Sequence, residues 1–380
     1  VEIVEGPMSV VYGTDALAGV INIITKKGDG YSEENTWRVG ARVQEESMGK
    51  EYDFFKDNGL HNESIDLGFS HKSGLFVNGG YTRNNHGGWQ GDLTGREKRW
   101  HPKDQALMNG MFGFQNRNMN VWYRLDFLDE KIFGPNNGSE LQPEKVSDKD
   151  FLTKRYTHQL QSDWKLDNRL DVHAALSYQD YKRRTRTTES DLSTGEKWLS
   201  SAEASQDITQ YKAWIARATV AWNIAPEFSV QPGVEYQWTQ GEGGRIDGTP
   251  KVSDLAFFLS AEYKPWEWLS LRPGVRTFIV ADYDAPIAIP SVLTKFKLTK
   301  HMDLRLSYAY GFRSPTLQEL YFSFHNDNHD IDGNPDLKAE YSHNITGSVA
   351  YRVLHSEKIH LTTTLSGFYN DFRDKISLAQ

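Results

Sequence analysis

The residues best able to do chemistry gather between 311 and 340, in GFRSPTLQELYFSFHNDNHDIDGNPDLKAE. In and just after HNDNHD, Asp327, Asp330 and Asp332 offer hard oxygens, and His325 and His329 offer imidazole nitrogens. Such a mixture suits a cation. The run lacks the fixed ligand spacing of an EF-hand loop, so a solvated acidic loop is the plainer reading. Trp89, in NNHGGWQGD (84–92), presents a flat ring that stacks on a sugar or planar ligand, or simply anchors its loop. Nothing supports turnover. There is no Ser-centred nucleophile elbow and no His-Glu-x-x-His, and the chain has 0 Cys. The last point also excludes disulfide staples, thiol catalysis and Cys-based zinc sites. With 51 acidic residues against 43 Lys and Arg, the net charge of -8 provides no global field for nucleic acid.

The elements that must position these residues are strands. From Trp37 onward apolar residues recur with period two. In 303–312, Leu304, Leu306, Tyr308, Tyr310 and Phe312 fall on one face, and Asp303, Arg305, Ser307, Ala309 and Gly311 on the other. Segments 37–43, 119–127 and 170–178 alternate in the same way. Several strands run to about ten residues or more, longer than the usual five or six. Short joins (71–74, 116–118, 166–169, 224–227, 264–267, 300–302, 353–357) alternate with long ones, roughly 44–64, 84–108, 129–156, 181–211, 240–253, 281–290 and 314–340. A soluble sheet has no reason to sort its loops so. A transmembrane barrel does, with short periplasmic turns and longer extracellular loops.

The chain contains no run of about 18 apolar residues, so no helical span is expected, but a barrel hides its apolar face in every second residue. Trp37, Tyr81, Trp214, Trp222, Trp238, Trp268, Tyr308 and Phe312 near strand ends suit the membrane interface. The expected fold is therefore all-β, an antiparallel transmembrane barrel of about fifteen strands. Arg38, Arg42, Arg124, Asp126, Asp171, Arg217 and Arg305 are expected to face its interior. The basic run YKRRTRTT (181–188) begins at an extracellular rim. Its Lys182, Arg183, Arg184 and Arg186 suit anionic lipopolysaccharide or another anionic ligand, with a solvated rim as the default. An odd strand number, an opening at Val1 inside a motif and a stop just after a strand predict a chain incomplete at both ends.

Residues 1–27, VEIVEGPMSVVYGTDALAGVINIITKK, differ from the rest: VEIVE reads as a short strand, Gly6-Pro7 as a turn, MSVVYG, ending at Tyr12-Gly13, as a brief turn or helix, and AGVINIITK, with Gly19 and Asn22, as a second strand. A phosphate loop is excluded because no Gly-Lys-Ser/Thr follows. This segment resembles the end of the plug domain of TonB-dependent outer-membrane receptors, where Gly-Pro, Tyr-Gly and Gly-Val-Ile-Asn-Ile-Ile occur in this order, and the resemblance continues through the barrel part. Such receptors fold an N-terminal plug inside a barrel of 22 strands. The resemblance implies that residues 1–30 are the C-terminal part of a small α/β plug and 31–380 an incomplete barrel. The TonB box, most of the plug and about seven strands would lie outside the chain, and the chain alone is not expected to insert as a closed barrel. It implies active uptake of a scarce ligand, driven by the TonB–ExbB–ExbD complex, with no intrinsic cofactor.

The resemblance also bears on the ligand. Phe312-Arg313-Ser314-Pro315 and Asn334-Pro335-Asp336-Leu337 resemble the paired FRAP and NPDL motifs of outer-membrane haem receptors, with Ser314 in place of Ala. Those receptors carry an iron-ligating histidine between the motifs, and His325 and His329 both lie in that interval, His329 nearer to NPDL. Imidazole can ligate haem iron axially. Tyr321 can ligate as phenolate or stack on a porphyrin. Pro315 and Pro335 restrict the backbone whichever ligand is carried. Haem is thus the first expectation, as cargo; cobalamin and ferric siderophores are the alternatives, and a passive porin is the alternative of another class. A surface lipoprotein is a further partner that many such receptors use.

Overall fold

The structure, a computed structural model, describes residues 2–5, 10, 13, 19–23, 34–202, 204–281, 283–326, 329–355 and 360–377. At the start, β1 (Glu2–Glu5) pairs antiparallel with β2 (Gly19–Asn22) as a separate two-stranded sheet. The rest is a meander of long strands: β3 (Thr36–Glu46), β4 (Leu60–Ser70), β5 (Leu75–His86), β6 (Lys103–Gln115), β7 (Met119–Gly134), β8 (Lys145–Lys165) and β9 (Leu170–Asp191). After the short β10 (Lys197–Leu199) come β11 (Ile208–Ala225), β12 (Phe228–Glu242), β13 (Lys251–Trp266), β14 (Leu269–Ala281), β15 (Ile289–Lys297) and β16 (Met302–Arg313). A loop excursion then holds helix α1 (Leu317–Tyr321) and a small hairpin, β17 (Ser323–Asn326) and β18 (His329–Asp332). The meander resumes with β19 (Glu340–His355) and β20 (His360–Arg373).

Apart from β10, which folds back on β9, each strand from β3 to β16 and then β19 and β20 pairs antiparallel with the next, giving one 16-stranded sheet with β3 and β20 outermost. Among the described residues no helix is long and apolar enough to cross a membrane. The crossing is made by strands, whose backbone groups bond to the neighbouring strand and so need no water.

The two faces of the sheet differ as the period-two pattern requires. Outward, large apolar side chains stand bare: Trp37 is 77% exposed, Val39 72% and Ile279 63%. In water such a surface would be a liability, but in hydrocarbon it is the favoured one. Inward, Arg38 reaches Asp66 at 3.8 Å and Asn78 at 3.2 Å, tying β3, β4 and β5 together. Arg124 pairs with Asp126 at 2.6 Å. Toward the short turns of β12 to β16, a cavity of about 1710 Å³ is lined by Glu262, Lys264, Arg272, Lys295, Arg305 and Ser307 among others. That is a polar interior beside an apolar exterior.

The structure departs from the sequence reading at the upper rim. Loops expected at roughly 129–156 and 181–211 are largely strand: β8 has 21 residues and β9 has 22. A membrane crossing uses about 9–11 residues, so half of this hairpin stands above the hydrocarbon. There the outward face carries charges, Asp150, Lys154, Lys182 and Arg184 among them, so the hydrophobic period fades although the ladder continues. The basic run 182–186 consequently lies inside β9 rather than in a loop.

Because the chain has 0 Cys, single cysteines test the faces directly. With the periplasmic side opened, a membrane-impermeant maleimide should fail to react with Leu304→Cys, whereas Ser307→Cys, on the opposite face and lining the cavity, should react. Equal labelling of the two would contradict the assigned faces.

Candidate functional site

Two constructions stand out, one at the upper rim and one on the inner wall. The first organises the loop between β16 and β19. Thr316 caps α1 and Glu319 closes a capping box, the Thr316 side chain accepting from the Glu319 amide at 3.2 Å and the Glu319 carboxylate accepting from the Thr316 amide at 2.7 Å. Arg313, the last residue of β16, forks onto Glu319 at 2.9 and 3.0 Å and donates to Glu340, the first residue of β19, at 2.8 Å. A forked guanidinium fixes direction as well as distance. The backbone carbonyl of Glu319 accepts from the Asn334 amide at 2.9 Å. The Asn334 side chain in turn accepts from the Asp336 amide at 2.9 Å, and the Leu337 amide donates to the Asn334 carbonyl at 3.3 Å. The Arg313-Ser314-Pro315 and Asn334-Pro335-Asp336-Leu337 stretches therefore meet at Glu319.

Leu317 and Leu320 are buried beneath α1. At Gly333 an added Cβ would lie 2.7 Å from backbone atoms of Leu320, Tyr321 and Phe322, so the end of β18 can approach α1 only without a side chain. The assembly also docks sideways on the β12–β13 loop. The Asp247 amide donates to the Tyr321 carbonyl at 3.1 Å, the Ser323 amide to the Arg245 carbonyl at 3.1 Å, and Arg245 lies 4.2 Å over the Phe324 ring. Gln318 donates to the Tyr211 hydroxyl on β11 at 2.8 Å. Tyr321 is half-buried at the foot of this arrangement. The hairpin it supports pairs His325 with Asp330 and Asn326 with His329. Both histidines are thus on its backbone; their side chains, those of Asp327 and Asp330, and the cation reading built on them lie outside the described residues.

The second construction holds the N-terminal segment to the barrel wall. Arg276 on β14 is 0% exposed and donates to Glu235 on β12 at 2.7 Å; Arg217 on β11 reaches the other carboxylate oxygen at 3.0 Å. The Arg276 guanidinium also faces the rings of Phe278 at 5.3 Å and Phe258 at 5.8 Å. Among the described residues its Nε and Nη1 have no hydrogen-bond partner, so the rings take their place. Gly13 sits on this pair with φ of +86°, and a Cβ there would come within 2.9 Å of Glu235. Both backbone conformation and space therefore ask for glycine. Val10 packs into a buried cluster with Ile289, Phe312 and Ala339. Phe312 is accordingly fully buried against the N-terminal segment, a correction to its expected place on the lipid-facing row with Tyr308 and Tyr310. At the strand end, contact with Val10 and the Phe278 ring, 5.2 Å away, replaces contact with lipid.

Of the other expected residues, Trp89 lies in the β5–β6 loop, its ring 5.3 Å from that of Trp100, and the two residues exchange backbone hydrogen bonds. It belongs to a loop cluster separate from that of Tyr321. Gly19 and Asn22 bound β2, while Gly6, Pro7 and Tyr12 fall outside the described residues. Arg217 was expected to face inward and does. Glu235, Arg276 and Glu319 were not singled out. Thr316-Leu317-Gln318-Glu319 carries the capping-box signature and could have exposed Glu319; period two in 228–239 and 268–280 puts Glu235 and Arg276 on one face, but only the ladder brings them together.

Burial alone would raise the Glu319 carboxyl, but hydrogen bonds from Arg313 and Thr316 outweigh it and hold the group below its ordinary value. A depressed carboxylate contributes stability that is present above the unfolded value, near 4.5, and lost as pH falls through the folded one. Protection factors for amide exchange across 316–323, which remove the intrinsic pH dependence of exchange, should therefore be high at neutral pH and fall below about pH 4.5 in wild type, with Glu319→Gln low at both. Glu235→Ala should leave Arg276 buried without its partner and cost about 3–5 kcal/mol, read as a lower midpoint for heat-induced loss of the compact electrophoretic form. Gly13→Val should lower it too.

Comparison with known proteins agrees with this architecture. Residues 231–380 match the family described as TonB dependent receptor-like, beta-barrel. The chain is 26% identical over 397 aligned positions to the iron-regulated outer membrane virulence protein of Vibrio cholerae, covering 99% of this chain and 53% of that protein. An 82-residue stretch, 22% of this chain and 7% of the relative, is 38% identical to haemoglobin and haemoglobin-haptoglobin-binding protein C of Haemophilus influenzae. The crystal structure of the siderophore receptor PirA of Pseudomonas aeruginosa superposes with a TM-score of 0.70 at 14% identity, covering 97% of this chain and 61% of that one. The chain thus spans about half the length of the Vibrio relative. It has the β-barrel fold of TonB-dependent receptors, and its place is the bacterial outer membrane.

Proposed function

We propose that this protein takes up an iron-bearing ligand, haem first, across the outer membrane, using energy delivered by the TonB–ExbB–ExbD complex. The observation that carries the proposal is the hairpin β17–β18, which presents His325 and His329 on a backbone braced by Arg313, Glu319 and Asn334. Imidazole on a mounted hairpin suits axial ligation of haem iron. Haem is the cargo here, not a resident cofactor. Two relatives support an iron-bearing cargo: one is named for iron regulation, and the shorter match is to a haemoglobin-binding protein. The N-terminal segment, seated through Val10 and Gly13 on the barrel wall, is the part through which a pull from the periplasm would be transmitted. The Arg276–Glu235 pair beneath Gly13 belongs to the wall, and movement of the segment would uncover it.

Titrating the detergent-purified receptor with haemin should give a saturable Soret shift. Replacing His325 or His329 with Ala should weaken binding by on the order of tenfold or more, about 1.4 kcal/mol, for whichever residue ligates. An unshifted Soret band would remove haem; saturable binding of a ferric siderophore or of cobalamin in the same preparation would then assign the cargo.

A further inference from the structure

The outer wall of β8, β9 and β11 carries a feature unrelated to cargo. On the lipid-facing side the ladder register sets Phe127 beside Tyr156, and His158 beside Tyr178, Trp214 and Trp238, so two aromatic rows run across the strands with a step of two residues between Tyr156 and Tyr178. Phe127 and Tyr156 are 4.8 Å apart, and Tyr178 and Trp214 4.5 Å. This is an aromatic girdle, and because it lies toward the long loops it marks the outer-leaflet interface.

Two residues beyond Tyr156, about 7 Å along the strand, Lys154 stands directly opposite Lys182 in the β8–β9 ladder. Arg184, two residues past Lys182, shares their face. All three are exposed. Like charges placed directly opposite destabilise a sheet pair, so the arrangement calls for an anion. The nearby carboxylates do not supply enough. Asp129 reaches Lys154 at only 3.8 Å, Asp150 is shared by Lys131 and Arg186, and Asp180 accepts from Gln210 at 2.9 Å. Among the described residues neither Lys182 nor Arg184 has a carboxylate partner.

On the other side of the girdle, toward the membrane centre, the same strands form a depression of about 330 Å³. Leu160, Leu176 and Tyr236 wall it, and Ala174, Ala216 and Ala218 make its floor. Its polar lining is minimal, so it suits a hydrocarbon chain.

We infer that this wall is a binding site for a phosphorylated lipid of the outer leaflet. Its phosphates sit on Lys154, Lys182 and Arg184, above the girdle, and an acyl chain lies in the alanine-floored depression below it. The site combines three things in the right vertical order: cations at headgroup height, aromatic rings at the interface, and an apolar slot in the hydrocarbon. A free phosphate ion would use only the first; a lipid uses all three. The bound lipid cancels the Lys154–Lys182 repulsion and stiffens the tall β8–β9 hairpin where it leaves the membrane.

The test is native mass spectrometry of the detergent-purified receptor with bisphosphorylated lipid A, its dephosphorylated counterpart and phosphatidylglycerol added separately. Wild type should retain bisphosphorylated lipid A on the order of tenfold more strongly than the dephosphorylated form, as expected for charge-assisted hydrogen bonds. The triple variant Lys154→Gln, Lys182→Gln, Arg184→Gln should lose that preference while keeping its heat-shifted band. Ala216→Phe, which fills the depression and leaves the cations untouched, should weaken retention of both lipid A forms. Equal retention of the phosphorylated and dephosphorylated lipids, or an unchanged triple variant, overturns the inference. So does displacement of lipid A by millimolar inorganic phosphate alone, which would make this a free-anion site, and so does retention of phosphatidylglycerol as strong as that of lipid A.

Discussion

In hydrocarbon an amide or carbonyl without a partner has no water to fall back on, and each such group costs several kcal/mol. The rest of this structure depends on that constraint. It requires continuous ladders, and the meander from β3 to β20 provides them with neighbours in chain order and few register shifts. Once the ladder is continuous, the pleat sends alternate side chains to lipid and to the interior. A bare Trp37 outside and a buried Arg276 inside are then consequences of one geometry rather than separate features.

The interior is where that geometry becomes expensive. Charges facing a partly enclosed lumen must find partners, and the sheet supplies them across neighbouring strands. Glu235 serves both Arg217 and Arg276 from a position between them. The N-terminal segment completes the arrangement by covering it with a glycine, Gly13, while Val10 packs into the apolar cluster of Ile289, Phe312 and Ala339. A buried pair of this kind is modest evidence for net stability, because desolvation opposes the attraction. Its stronger consequence is specificity of docking, since only a backbone without a side chain fits over it.

The upper loop solves a different problem, that of holding a long excursion still without a core. It does so with Glu319, which caps its own helix, receives the Arg313 fork from one barrel strand and accepts from Asn334 at the return. The hairpin bearing His325 and His329 is consequently mounted on the frame rather than hanging from it.

The sequence by itself determined the strand character, the short-and-long order of the connections and the inward row that includes Arg38, Arg124, Arg217 and Arg305, because the pleat has a period of two and lipid and water sort residues along it. For residues 1–27 the separate reading came from their resemblance to a plug segment, and the structure pairs Glu2–Glu5 with Gly19–Asn22 in a sheet of their own. Sequence reading failed where the period fades. Above the membrane the outward face of β8 and β9 carries charges, and strands of 21 and 22 residues read as loop. It also failed for Phe312, whose position on an apolar row was legible but whose neighbour Val10 was not. Only the tertiary structure decided which charges meet. Arg276 lies 41 residues from Glu235, Glu319 joins two motifs on opposite sides of a loop, and Lys154 opposes Lys182 through the register of a single hairpin. Each pairing depends on strand register and on loop return, which are long-range quantities that no local pattern encodes.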